Sequence, residues 1–219
     1  MKNLVCVFAH PDDEAFGPGG TIAKLSKKFN IYLLCATKGD VGQKSSKVKN
    51  RSKLSTIRSN ELRKSAKILG IKKVYFLGFK DGTLSNNFYH KLANKVQKKL
   101  KELKPEILIT YEPQGVSGHI DHITVSMVIM FVAQKLKFVK EVWQFCRSDK
   151  FPKRLNYFIY FPPGYKRSEI DKVINTKDVW NTKVKAMMCH TSQTADIERI
   201  LKIQKGMPKE EYFLVKKIH

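Results

Sequence analysis

Residues 9–14 read Ala-His-Pro-Asp-Asp-Glu, which puts one imidazole and three carboxylates side by side. They follow Leu4-Val5-Cys6-Val7-Phe8, a continuous apolar run of the kind that a strand buried on both faces requires. A second cluster, Gly118-His119-Ile120-Asp121-His122, precedes the apolar stretch from Ile123 to Val132. If a helix starts there, His119 and His122 share one of its faces. Histidine with carboxylate is a donor set suited to zinc and similar divalent metals. Two such clusters, each at the edge of a buried element, suggest one shared metal site. Each also has a plainer reading. The first could be a surface turn whose Asp side chains cap the next helix. The second could be a helix N-terminus with solvated histidines.

The elements around the clusters decide whether they can meet. Apolar, β-rich runs at 3–9, 31–36, 73–77 and 106–111 alternate with helical patterns near 20–29, 54–69 and 87–103. That alternation predicts an α/β fold: a Rossmann-like, mostly parallel sheet with helices on both faces. Pro105 stops the third helix just before the fourth strand. The first cluster follows strand one and the second follows strand four. Both therefore fall on the carboxyl edge of the sheet, where open α/β sheets hold their ligands. Further on, the pattern predicts a helix over about 120–136, strands near 141–146 and 156–161, and a break at Phe161–Tyr165. Helices near 177–189 and 195–204 and a short strand around Tyr212–Val215 close the chain. Residues 39–51 are Lys/Ser/Gly-rich without apolar periodicity and read as a surface loop that could cover the site. No internal repeat or linker divides residues 1–219, which are read as one domain.

Composition narrows the function classes. With 42% hydrophobic and 11% aromatic residues, the chain is a folded protein and not a disordered one. No apolar stretch approaches the ~20 residues that span a bilayer, and Leu4–Ala9 is too short for a secretory core. The expectation is a soluble, cytoplasmic protein without a transmembrane anchor. The cysteines at 6, 35, 146 and 189 form no C-x-x-C pair, which fits a reducing compartment. Net charge is +23, from 35 Lys and 7 Arg against 19 acidic residues, densest over 44–53 and 95–104. Such a balance could favour polyanions. Lysine in place of arginine argues against groove readout, and Val96, Leu100 and Leu103 make the second stretch the outer face of an amphipathic helix. A lysine-rich solvated surface is the reading adopted here. No specific nucleic-acid partner is expected, and a homo-oligomer is left open.

Ala9-His10-Pro11-Asp12-Asp13-Glu14, followed by Gly19-Gly20-Thr21, resembles the opening motif of the PIG-L/LmbE family of metal-dependent N-acetylglucosaminide de-N-acetylases. Gly118–His122 resembles the second motif of that family. Arg58-Ser59-Asn60-Glu61 with Ala66 and Leu69-Gly70 is similar to its middle helix, and Leu77-Gly78-Phe79 with Asp81-Gly82 to its next strand and loop. Lys185-Ala186, His190 and Ser192-Gln193 resemble its C-terminal signature. The resemblance runs from about Asn3 to Gln193. Asp196–His219 lies outside it.

The resemblance implies a Zn2+ site built by His10, Asp13 and His122, which Fe2+ or another divalent metal could also fill. A catalytic zinc takes three protein ligands and lowers the pKa of its water to ~7. Asp12 would then be the general base and His119 the stabiliser of the tetrahedral oxyanion. Asp121 would hold the His119 imidazole and favour its charged form. Arg58 and Asp81 would contact the sugar. Glu14 has no assigned step beyond bracing its turn, and His190 could equally be a satisfied helix-end histidine. The expected substrate is an N-acetylated sugar or glycoconjugate. Two other classes compete. A two-metal phosphoesterase would need more ligands than these clusters supply. A basic binding module with a structural metal would call for four closed ligands, often Cys, and no cysteine lies near either cluster.

Overall fold

A computed structural model describes residues 1–41, 51–152 and 160–219; of residues 51 and 52 only the backbone is described. The apolar runs form the strands that their composition favours: β1 (Asn3–Phe8), β2 (Asn30–Thr37), β3 (Lys73–Phe79) and β4 (Ile107–Tyr111). β5 (Glu141–Cys146), β6 (Lys172–Asn175) and β7 (Glu210–Lys217) complete a seven-stranded sheet of order β3-β2-β1-β4-β5-β7-β6. Pairing is parallel from β3 through β5 and antiparallel at β5–β7 and β7–β6. Leu4 to Val7 are fully buried in succession. Neighbouring side chains of a strand point to opposite faces, so both faces of β1 are covered.

The helices are α1 (Asp13–Phe16), α2 (Gly19–Leu25), α3 (Arg51–Ile68), α4 (Tyr89–Leu103), α5 (Gly115–Gly118), α6 (Ile120–Ala133), α7 (Trp180–Met187) and α8 (Thr194–Gln204). α4 packs on α6, while α1, α2 and α3 pack on α7. α6 buries Val125, Val128, Ile129 and Val132, the spacing of one helical face. α4 buries Leu92, Ala93, Val96 and Leu100 and turns its lysines outward, as its amphipathic pattern predicts. It ends at Lys104, whose left-handed backbone donates to Leu100 O ahead of Pro105.

The mostly parallel α/β architecture matches the sequence reading. Two details differ. β7 is longer than expected and sits inside the sheet, between β5 and β6. β6 was not anticipated, because four residues are too few to show alternation. The strand expected over 156–161 falls mainly on residues outside those described, as do 42–50 of the Lys/Ser/Gly-rich segment. No described helix is long and apolar enough to cross a membrane.

Order 3-2-1-4 places the switch point between β1 and β4, the two strands whose ends carry the clusters.

Candidate metal centre and active site

The chain turns sharply as it leaves β1. Asp12 adopts φ 120°, ψ −26°, a conformation rare for any residue with a side chain. Several contacts hold it there. The Asp12 N–H donates to Glu14 Oε2 at 3.1 Å, and its carbonyl accepts from Ala15 and Phe16 at the start of α1. Glu14, fully buried, also accepts from Ser65 Oγ on α3 and pairs with His190 Nε2 at 2.8 Å. The bracing expected of Glu14 is thus built from three directions, and His190 is its buried partner.

This turn brings His10 and Asp13 against His122 in the first turn of α6. His10 Nδ1 lies 3.1 Å from His122 Nε2, which lies 3.3 Å from Asp13 Oδ1; His10 Nδ1 to Asp13 Oδ2 is 3.7 Å. Donors at ~2.0–2.2 Å from a tetrahedral zinc stand roughly 3.3 Å apart, so the three fit the corners of such a site. Their outer atoms are already engaged. His122 Nδ1 donates to Gly115 O at 3.0 Å, leaving the Nε2 lone pair inward. His10 Nε2 faces Asp81 Oδ1 at 2.9 Å and Asp121 Oδ2 at 3.3 Å, leaving Nδ1 inward. Asp13 Oδ2 accepts from the His10 N–H at 2.7 Å and from the Tyr111 hydroxyl. Two facing nitrogen lone pairs beside a carboxylate need a positive charge between them, either a proton or a metal. His10, Asp13 and His122 therefore fit a divalent cation. A second grouping, His10, His119 and Asp121, shares His10, but its donor atoms are largely taken by the chain's own N–H groups.

The electrostatics follow from burial and these partners. Burial disfavours a charged His10, but Asp121 and Asp81 outweigh it and raise its pKa to about 10. Burial would raise Asp13, yet His122, His10 and the Tyr111 hydrogen bond pull it below the usual carboxylate range. Asp81 is likewise held down to about 2, chiefly by His10, against its burial. Asp12 goes the other way. Burial pushes its carboxyl up to about 7, against the pull of the Arg58 guanidinium. An acid poised near neutrality on a cavity wall suits a general base.

Asp12, His119, Arg58 and Asp81 all line one cavity of about 290 Å³ with the three donors. His119 caps α6, and its Nδ1 accepts the Asp121 N–H at 3.1 Å. Here the expectation for Asp121 is corrected. Its carboxylate accepts from Gly82 and Leu84 at 2.8 and 3.1 Å and faces His10, its backbone N–H donates to His119, and its charge still pulls the His119 pKa upward. Burial and the neighbouring His10 and His122 push His119 down to about 4 against the pull of Asp121, so the neutral imidazole is favoured over the charged one expected. With Nδ1 accepting the Asp121 N–H, Nε2 is the nitrogen left to carry its proton. Arg58 is buried and donates to Asp12 Oδ2 at 2.8 Å, Pro11 O at 2.7 Å and Gly39 O at 3.1 Å. Asp81 is buried against His10 and accepts from the Val41 N–H at 3.3 Å. Both residues brace the site, whatever else they contact.

Tyr111 was not singled out in the sequence. Its ring stacks on His122, centroids 4.1 Å apart, while its hydroxyl accepts the Ala9 N–H and binds Asp13. The only sequence signal was its place at the end of the fourth apolar run. The buried Lys183–Glu211 pair was also missed: Glu211 of β7 accepts from Gly20, Thr21 and Lys183 and so ties the start of α2 to the far side of the sheet.

The fold and this cage define an α/β protein with a candidate metal-binding cluster at its switch point. Residues 5–133 match the PIG-L family, described as GlcNAc-PI de-N-acetylase. The chain is 30% identical over 197 residues to the probable N-acetyl-alpha-D-glucosaminyl L-malate deacetylase 2 of Bacillus cereus, covering 88% of this chain and 84% of that protein. It is 28% identical to the 1D-myo-inositol 2-acetamido-2-deoxy-alpha-D-glucopyranoside deacetylase of Corynebacterium glutamicum, covering 87% and 74%. In structure it resembles the N,N'-diacetylchitobiose deacetylase of Pyrococcus horikoshii, with TM-score 0.76, 21% identity and coverage of 99% and 84%. The chain belongs to the PIG-L family and is a hydrolytic de-N-acetylase.

The Arg58–Asp12 contact carries a pH prediction. A general base at Asp12, as expected from the sequence, must be ionised to accept a proton, and activity would then fall on the acid side of its pKa. Arg58 lowers that pKa. Arg58→Met should therefore move the acid limb of kcat/KM to higher pH. A limb that stays in place or moves to lower pH would separate Asp12 from the profile.

Proposed function

We propose that the protein removes the acetyl group from an N-acetylglucosamine-type glycoside, using Zn2+ held by His10, Asp13 and His122, with Asp12 as general base. The observation that carries this reading is the cage in which His10 Nδ1, His122 Nε2 and the Asp13 carboxylate approach one another at 3.1–3.7 Å, with Asp12 and His119 sharing its cavity. The relatives' names place their substrates among N-acetylated glucosaminides.

A divalent cation bound in the cage would supply Lewis acidity, polarising water and the acetyl carbonyl. The chain's own groups supply the rest. Asp12 takes a proton from the water as its oxygen bonds to the acetyl carbon. The carbonyl oxygen gains negative charge, and the Nε2–H of His119 donates to it. The C–N bond then breaks, and Asp12 returns the proton to the leaving amine. Acetate and a free amino sugar result. Arg58 keeps Asp12 aimed, while Asp81 and Asp121 fix the His10 ring and its tautomer.

The test is acetate release from a panel of N-acetylated sugars with added Zn2+. Release from N-acetylglucosaminides is expected; release from none of them would sink the proposal. Within the same assay, His119→Ala should lower kcat more than it raises KM, because the donor acts on charge that develops in the transition state. A pure rise in KM would make His119 a substrate-binding residue instead.

A further inference from the structure

The cavity does not end at the cage. It continues to a second wall made by the end of β5, the loop beyond it and α8. Its apolar part is lined by Phe145, Phe161, Ile200, Ile203 and Met207, with Arg147, Asp196 and Arg199 beside them. Ile200 and Ile203 lie one turn apart on α8, and Met207 follows just beyond its end. All five side chains are only half-buried. Among the described residues, Ile203 and Met207 belong to neither hydrophobic core cluster. Apolar surface left open beside a reaction centre gains free energy when a ligand covers it.

The charges on this cavity are committed elsewhere. Four cations line it among the described residues. Arg58 holds Asp12, and Lys183 holds Glu211 at 2.6 Å. Arg199 pairs with Asp196. Arg147 donates to Val116 O and lies over the rings of Phe161 and Phe151, at 4.1 and 5.2 Å. Three of these four cations already face a carboxylate, while Arg147 faces a carbonyl and two rings.

We propose that this far arm is the subsite for an uncharged, apolar aglycone, an alkyl or aryl group carried on the N-acetylglucosaminide. The inference rests on the deacetylase reading above. Two measurements on the full chain with Zn2+ test it, and they can fail separately. The first compares acetate release from methyl, n-octyl and malyl N-acetylglucosaminides, with the octyl compound below its micelle concentration. The second measures calorimetric binding of the deacetylated methyl and n-octyl glucosaminides, which needs no hydrolysis. Each methylene taken from water contributes about fourfold, so partial burial of the octyl chain should raise kcat/KM and affinity by roughly tenfold or more over methyl. Ile203→Gln and Met207→Gln should each shrink the octyl-to-methyl ratio. Equal binding of both glucosaminides, or faster hydrolysis of the malyl than of the octyl glycoside, would overturn the proposal. Octyl-selective binding with no acetate released from any glycoside would keep the arm and remove the deacetylase reading.

Discussion

The His122→Ala protein is expected to lose its bound divalent metal and at least ~10³-fold in acetate release. The argument is geometric. The Nε2 of His122 lies 3.3 Å from Asp13 Oδ1 and 3.1 Å from His10 Nδ1, so it completes the cage. With that corner gone, two donors remain, fewer than the three protein ligands a catalytic zinc normally takes. Lewis-acid stabilisation amounts to several kcal/mol, and each ~1.4 kcal/mol is tenfold in rate. The backbone should tolerate the change, because α6 is anchored by Val125, Val128, Ile129 and Val132. Elemental analysis beside the wild type and His119→Ala reads the result. Undiminished metal in His122→Ala would remove this histidine from the site.

Asp12→Asn should keep its metal and lose ~10²–10⁴-fold in kcat, the usual contribution of a general base. The amide is nearly isosteric, and its oxygen can still accept from Arg58. Asparagine also tolerates positive φ better than most residues, so the strained turn at position 12 should survive. What it lacks is a basic oxygen to take the water's proton. Turnover near wild type at full metal loading would exclude Asp12 as the base. Metal loss in Asp12→Asn would assign it to the cage instead.

Much of this was legible in the sequence for physical reasons. β1 and β4 are buried on both faces, and burial on both faces leaves an unbroken apolar run that stands out. The clusters follow those runs directly, so the shared edge could be argued before any coordinates. The contacts around the cage were not legible in the same way. Whether Asp121 turns its carboxylate to His119 or to His10 depends on where Gly82 and Leu84 present their N–H groups, and that loop lies almost forty positions away in the chain. The neutral state of His119 depends on burial and on two other imidazoles, which residue types alone do not reveal. β6 is too short to carry a pattern, and β7 inserts antiparallel between β5 and β6 by register rather than by composition. Arg58 and Asp81 look like ordinary surface residues in the sequence, yet both are buried against the cluster that follows β1.

The most direct test of the account is acetate release by one preparation before and after its metal is exchanged. Protein stripped with a chelator should release no acetate from an N-acetylglucosaminide, and Zn2+ at about one equivalent per chain should restore release. Stripped protein that keeps its full rate, or reloaded protein that releases no acetate from any N-acetylglucosaminide, would contradict the central claim.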